Sequence, residues 1–134
     1  MPRRPPRPLA AGCPCGSGLG LAECCGPLVD GTVTAPTALR LMRSRYTAYT
    51  LGAVDHLLRT WHPSTRPPPF EPDGRRRWLG LDILGTTAGG LLQSTGTVEF
   101  VAHFQDAGAR RPDAQRENSR FTRVAGIWVY VDAL

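Results

Sequence analysis

The rhythm of hydrophobic and polar positions changes along this chain, and the changes divide it into elements. After Thr34 and Pro36, read as a cap and a first-turn proline, Leu39, Met42, Tyr46 and Tyr49 recur at helical spacing, and Gly52 suits the helix end. Val54, Leu57, Leu58 and Trp61 predict a second helix over Val54 to Trp61, closed because Pro63 pushes His62 out of helical geometry. The proline-laden stretch from Pro63 to Gly74 reads as a loop. From there the period shifts to two. Trp78 to Thr86 reads as a strand, followed by a turn over Thr87 to Gly90. Thr97 to Gln105 alternates, with Val98, Phe100, Ala102 and Phe104 on one face and Thr97, Glu99, Val101 and His103 on the other. Asp106 to Asp113 reads as a loop, Glu117 to Val124 as a third strand, and Ile127 to Val131 as a fourth across a turn at Ala125-Gly126. Two helices followed by a run of strands predict an α+β fold, with helices laid on one face of a curved antiparallel sheet.

Composition adds three regions to that picture. Residues 1–12 read as a basic, proline-rich, disordered tail, residues 13–31 as a cysteine-bearing knuckle, and residues 32–134 as the body with the core. No apolar run approaches the roughly 20 residues of a membrane-spanning helix, and the start lacks the apolar stretch of a secretory signal. The expectation is a cytoplasmic protein with no membrane insertion. The net charge of +5 comes from sixteen arginines and no lysine. That removes lysine Schiff-base chemistry and lysine-dependent phosphate loops. It permits an RNA, ribosome or acidic-protein partner.

All four cysteines fall in one short segment: Cys13-x-Cys15, eight intervening residues, then Cys24-Cys25. Two close pairs on a short loop can converge on a tetrahedral ion, so the expectation is one structural zinc ion held by Cys13, Cys15, Cys24 and Cys25. Gly16, Gly18 and Gly20 are expected to bring backbone N–H groups towards the thiolates. A disulfide framework is the alternative, opposed by the expected compartment and by the strained rings that such close pairs would form. A redox site is the third reading, although the chain lacks a Cys-x-x-Cys.

Cys13-Pro-Cys15-Gly-Ser-Gly18 with Cys24-Cys25-Gly26 resembles the SEC-C motif, the zinc knuckle of the SecA translocation ATPase and of several small bacterial proteins. Leu41 to Tyr46, Thr60 to Arg66, Trp78 to Leu81, Gly96 to Val101 and Trp128 to Asp132 are similar, in order, to motifs of the YchJ family, UPF0225. The resemblance implies that residues 32–134 form an NTF2-like cone of curved sheet wrapped by helices, a fold whose members often dimerise through the open sheet face. Two departures stand out. The knuckle spacer lacks the usual lysines and aromatic residue, with Leu21 at the aromatic position. In Arg116-Glu117-Asn118-Ser-Arg-Phe121 the glutamate is kept but the histidine that often precedes it is lost.

Such cones often enclose a pocket, and Arg45, Tyr46, Tyr49, Trp61, His62, Trp78, Glu99, His103, Glu117 and Arg120 are the residues expected to line it. His62 and His103 are the candidate general bases, with Glu99 or Glu117 to orient one of them, as hydrolysis, dehydration or isomerisation would need. Each has a plainer reading: His62 as a helix-end cap, the aromatic residues as core, Glu99 and His103 as solvent-facing. The Arg75-Arg76-Arg77 run before Trp78 reads either as a phosphate contact or as a solvated strand entry. Three function classes follow. The first expected is a zinc-knuckle adaptor contacting protein or ribosome; the second is a small-molecule binding protein; the third is an enzyme using a His/Glu pair.

Overall fold

The computed structural model describes residues 12–72 and 74–134. In chain order, a 3-10 turn at Leu21–Glu23 leads into a short helix α1 (Gly26–Val29), then α2 (Ala38–Leu51) and α3 (Val54–Arg59). Four strands follow: β1 (Arg76–Ala88), β2 (Thr95–Asp106), β3 (Asp113–Val124) and β4 (Ile127–Ala133). They pair in sequence order as one antiparallel meander. The α+β architecture is therefore as the periodicity predicts. Among the described residues no helix is long and apolar enough to cross a membrane. Residues 1–11, the greater part of the segment read as a tail, lie outside the described residues.

Helix α2 is the central element. Its cap is Thr37, whose hydroxyl accepts from the Arg40 N–H, and not Thr34. Pro36 thus precedes the helix, and its carbonyl accepts from the indole N–H of Trp128. The end is as expected: Gly52 sits at φ +71°, a left-handed conformation that costs glycine little. One stripe of α2, including Leu41, Met42 and Tyr46, packs into the sheet-side core. Ser44 and Thr47 are buried on other sides, where Ser44 meets His56 of α3 and Thr47 meets Cys13. A helix enclosed in this way carries polar residues inside, provided each finds a partner.

Helix α3 ends at Arg59, two residues short of the expected Trp61. Trp61 instead forms an extended bridge with Tyr130 of β4, and the two rings meet edge to face with centroids 5.3 Å apart. Strand β3 begins at Asp113, four residues before the expected Glu117, because the ladder with β2 runs out to the Phe104–Asp113 pair. In β2 the alternation holds: Val98, Phe100, Ala102 and Phe104 face the core. Register shifts at Trp78/Gly80 and Ile83/Gly85 in β1, and at Arg120/Phe121 in β3, mark bulges that bend the sheet around α2.

Candidate functional site

The cysteine segment has little hydrophobic pattern of its own, and its geometry is set by turns. Gly16 and Gly18 adopt φ of +81° and +89°. The Cys13 N–H donates to the Leu19 carbonyl at 2.8 Å, closing the loop between them. The four Sγ atoms lie within 4.8 Å of one another and all four residues are buried. Cys15 and Cys24 Sγ are 3.6 Å apart, and Cys24 and Cys25 Sγ 3.8 Å. Ligands at the vertices of a tetrahedron with Zn–S of about 2.3 Å would stand about 3.8 Å apart. The donors therefore fit a tetrahedral ion, and the four cysteines are arranged to bind a metal. No disulfide links them.

Polar support for the sulfurs combines a backbone N–H from the glycine turn with side-chain hydroxyls: the Ser17 N–H, between Gly16 and Gly18, hydrogen-bonds Cys15. The hydroxyls are Ser17 Oγ, 3.1 Å from Cys24 Sγ, and Thr47 Oγ1, 3.6 Å from Cys13 Sγ. Arg43 Nη1 donates to the Cys15 carbonyl at 2.8 Å and brings a positive charge beside the cluster. Without an ion, the thiols share protons unequally. A hydrogen bond with Cys25 holds the Cys15 thiol well below the usual range, aided by Ser17 and Cys13 against the opposing effect of burial. The same hydrogen bond, with burial, pushes Cys25 up. Clustered thiols compete for one negative charge, the condition that a bound cation relieves.

A second feature lies between α2, the sheet and the loop after α3. It is a cavity of about 420 Å³ whose walls are largely aromatic. Of the residues expected there, Arg45, Tyr46, Tyr49, Trp61, Trp78 and Glu117 line it. Glu117 Oε2 accepts from Ser119 Oγ at 2.6 Å and from Tyr130 Oη at 3.4 Å. Arg45 lies between two rings, its guanidinium carbon 4.8 Å from the centroids of both Trp61 and Tyr130. Its Nη1 donates to Leu57 O, Thr60 O and Thr60 Oγ1. Burial pulls the Arg45 guanidinium down to about 10, with Tyr49, Tyr130 and Glu117 opposing, so it stays charged at neutral pH.

Four expected residues lie elsewhere, for one reason. Extended chain alternates, and each of them follows the outward phase. Trp61 faces the cavity, so His62 turns away, and its Nδ1 accepts from the Ser64 N–H at 3.0 Å. On the outer face of the sheet His103 pairs with Asp82 at 2.7 Å, Glu99 with Arg116 at 2.9 Å, and Arg120 with Asp132 at 2.6 Å. His62, His103, Glu99 and Arg120 are therefore no part of the cavity, and no histidine lines it.

Other residues carry roles that the sequence reading missed. Tyr130 and Ser119 line the cavity by the same alternation that places Glu117, a signal present in the strand pattern. Arg76, from the middle of the arginine run, lines it too, with its guanidinium 3.7 Å from the Phe104 centroid and its Nε 2.8 Å from Asp106. His56 is buried beneath α2. Ser44 Oγ donates to the Leu41 carbonyl, so it must accept from His56 Nε2 at 2.9 Å, while Nδ1 accepts from Arg59 Nη2 at 3.3 Å. That pattern requires a neutral imidazole. Burial, Arg59 and Arg45 pull its pKa down to about 4.

Comparison with known proteins places both features. The model of the YchJ middle NTF2-like domain matches residues 37–133, and the SEC-C motif matches residues 11–27. The chain belongs to the UPF0225 family. A UPF0225 protein of Streptomyces avermitilis is 50% identical over 126 residues, covering 94% of this chain and 86% of that protein. One from Streptomyces coelicolor is 48% identical over 120 residues, covering 90% and 92%. Two solved structures share the fold. A SEC-C motif containing protein from Rhodopseudomonas palustris superposes with a TM-score of 0.79 at 36% identity, covering 91% of this chain and 96% of that one. Another, from Psychrobacter arcticus, gives 0.73 at 26% identity, covering 90% and 80%. In this UPF0225 chain the buried cysteines belong to the same hydrophobic cluster as Leu41, Phe100 and Trp128, so the metal-binding segment and the sheet share one core.

Proposed function

We propose that this protein is a small-molecule binding module whose four-cysteine knuckle holds one structural zinc ion. The observation that carries the reading is the aromatic-walled cavity of about 420 Å³, into which α2 and β3 bring Arg45 and Glu117. Its size falls in the range of about 300–1,000 Å³ typical of small-molecule sites. Four thiolates suit zinc, and with all four positions filled by protein the ion is scaffolding, with no open position for chemistry. The adaptor reading has less to rest on, because the charged outer face of the sheet is paired within itself through Asp82–His103, Glu99–Arg116 and Asp132–Arg120. The hydrolase or isomerase reading lacks a histidine in the cavity.

Native mass spectrometry of the full chain, purified gently without chelator or added metal, tests both halves. The expected species carries the mass of one zinc ion and a small molecule. Ala102→Phe, which fills the cavity, is expected to lose the small molecule and keep the zinc. A small molecule retained by Ala102→Phe overturns the cavity reading. So does its absence in the parent chain, if a fragment library also fails to shift cavity-lining resonances. A different metal overturns the zinc assignment.

A further inference from the structure

Arg45 is 3% exposed, yet no carboxylate of the described residues lies within ion-pair distance of it. A buried charge without a counter-charge is costly, and backbone carbonyls and ring faces offset only part of that cost. Only Nη1 is hydrogen-bonded; the other N–H groups of the guanidinium have no partner among the described residues. Beside it, the indole N–H of Trp61 is sealed from solvent and also unpartnered. An orphaned buried donor is uncommon in native proteins and calls for an explanation. Both residues line the cavity. Two carboxylates line the cavity, Glu71 and Glu117, and neither stands within ion-pair distance of Arg45. Glu71 is exposed, and Glu117 is half-buried with Oε2 already taken by Ser119 and Tyr130. The unsatisfied groups at this end of the cavity are thus donors, one of them fully charged.

Resting on the cavity reading above, we infer that the ligand is a small organic carboxylate with a flat, single-ring apolar body. Its carboxylate accepts from Arg45 and, once the Trp61 ring turns its sealed N–H towards the cavity, from that indole, and the ligand ring lies against the aromatic walls. A cavity at the small end of the usual range suits one ring better than a larger body. A carboxylate supplies both the missing counter-charge and the missing acceptor, whereas a neutral amide supplies only an acceptor and an amine supplies neither.

The test uses three probes with one body: 4-hydroxyphenylacetate, its neutral amide, and the cation tyramine. Each is titrated into the full, metal-loaded chain while the Trp61 indole N–H resonance is followed by NMR. The acid is expected to bind at least about tenfold more tightly than the amide, with tyramine weakest, as charge-assisted hydrogen bonds imply. Trp61→Phe keeps the ring and removes the donor; it is expected to weaken the acid severalfold and the amide less, because the uncharged carbonyl makes the weaker hydrogen bond. Amide or tyramine binding as tightly as the acid overturns the inference and leaves the cavity reading standing. So does Trp61→Phe weakening acid and amide alike. If none of the three moves the resonance, the carboxylate inference falls, and the cavity reading is judged separately by the native mass and the fragment library.

Discussion

Arg43 on the long helix donates from Nη1 to the backbone carbonyl of Cys15 at 2.8 Å, joining residues 28 positions apart. Four residues further along the same helix, Thr47 reaches Cys13. Helix α2 thus holds the cysteine loop with two side chains one turn apart, while Leu41, Met42 and Tyr46 hold the sheet. Metal binding at the cysteines is therefore expected to be coupled to folding of the body through α2, and the coupling can be measured.

Replacing Arg43 by Ala removes a partly buried hydrogen bond from a charged donor, and is expected to cost about 1–2 kcal/mol of stability. Urea unfolding followed by far-UV circular dichroism reads it. The predicted signature is a lower midpoint together with faster metal loss to a chelator. A lower midpoint with unchanged metal release would mean that Arg43 supports the helix but not the loop.

Removing the metal is expected to melt the sheet, not the knuckle alone. Binding free energy in small zinc-folded peptides is on the order of 10 kcal/mol at neutral pH, comparable to the whole stability of a domain, about 5–15 kcal/mol. The cysteines sit in one core with Trp128, which is fully buried. Cys15→Ser, or chelation of the parent chain, should lower the unfolding midpoint reported by Trp128 fluorescence, with a loss on the order of 3 kcal/mol or more. The Trp61→Phe/Trp78→Phe background isolates that signal. An unchanged Trp128 transition after verified metal loss would show that the knuckle folds as a separate unit.

Much of this arrangement was legible in the sequence, and the parts that were not share a cause. Strand β2 could be read because one face is buried and the other is wet, so Val98, Phe100, Ala102 and Phe104 announce themselves by a period of two. The cysteine cluster was legible from spacing, since thiols so closely placed have few other uses. That the cluster joins the main core was not, because residues 13–31 carry no hydrophobic period that would point them at a sheet. His56 was missed for a related reason: on a six-residue helix its burial depends wholly on what α2 places above it. The alternation of β2 correctly set Glu99 and His103 opposite the apolar face, and their pairing with Arg116 and Asp82 follows from strand registers that no local pattern encodes.

His56 makes stability depend on pH. Its pKa falls from the ordinary 6.5 to about 4 in the folded state, chiefly by burial, with Arg59 and Arg45 adding to the shift. Between those values the unfolded chain binds the proton and the folded chain does not, so stability is full above about pH 6.5 and declines as pH falls towards 4. The loss attributable to this group is up to about 3 kcal/mol. Urea unfolding at pH 7, 5.5 and 4.5, compared with His56→Gln, isolates it from metal release, which affects both chains. The parent should lose stability more steeply than the variant. Equal slopes would remove His56 as the source.

The hairpin between β1 and β2 sets the last expectation. Its tip lies against the start of α2, where the Ala38 N–H donates to the Gly89 carbonyl at 3.0 Å. A Cβ added at Gly96 would stand 2.5 Å from the Gly89 Cα, a backbone atom that cannot swing aside. One added at Gly126 meets nothing within 4 Å, although φ there is +83°. Gly126→Ala should therefore cost only backbone strain, about 1–2 kcal/mol. Gly96→Ala must displace the hairpin from α2 as well, and is expected to cost more, on the order of 3 kcal/mol. Thermal unfolding of the two variants side by side decides the point. Equal destabilisation would mean that the hairpin yields freely, and that its contact with Ala38 does not position α2 over the cavity.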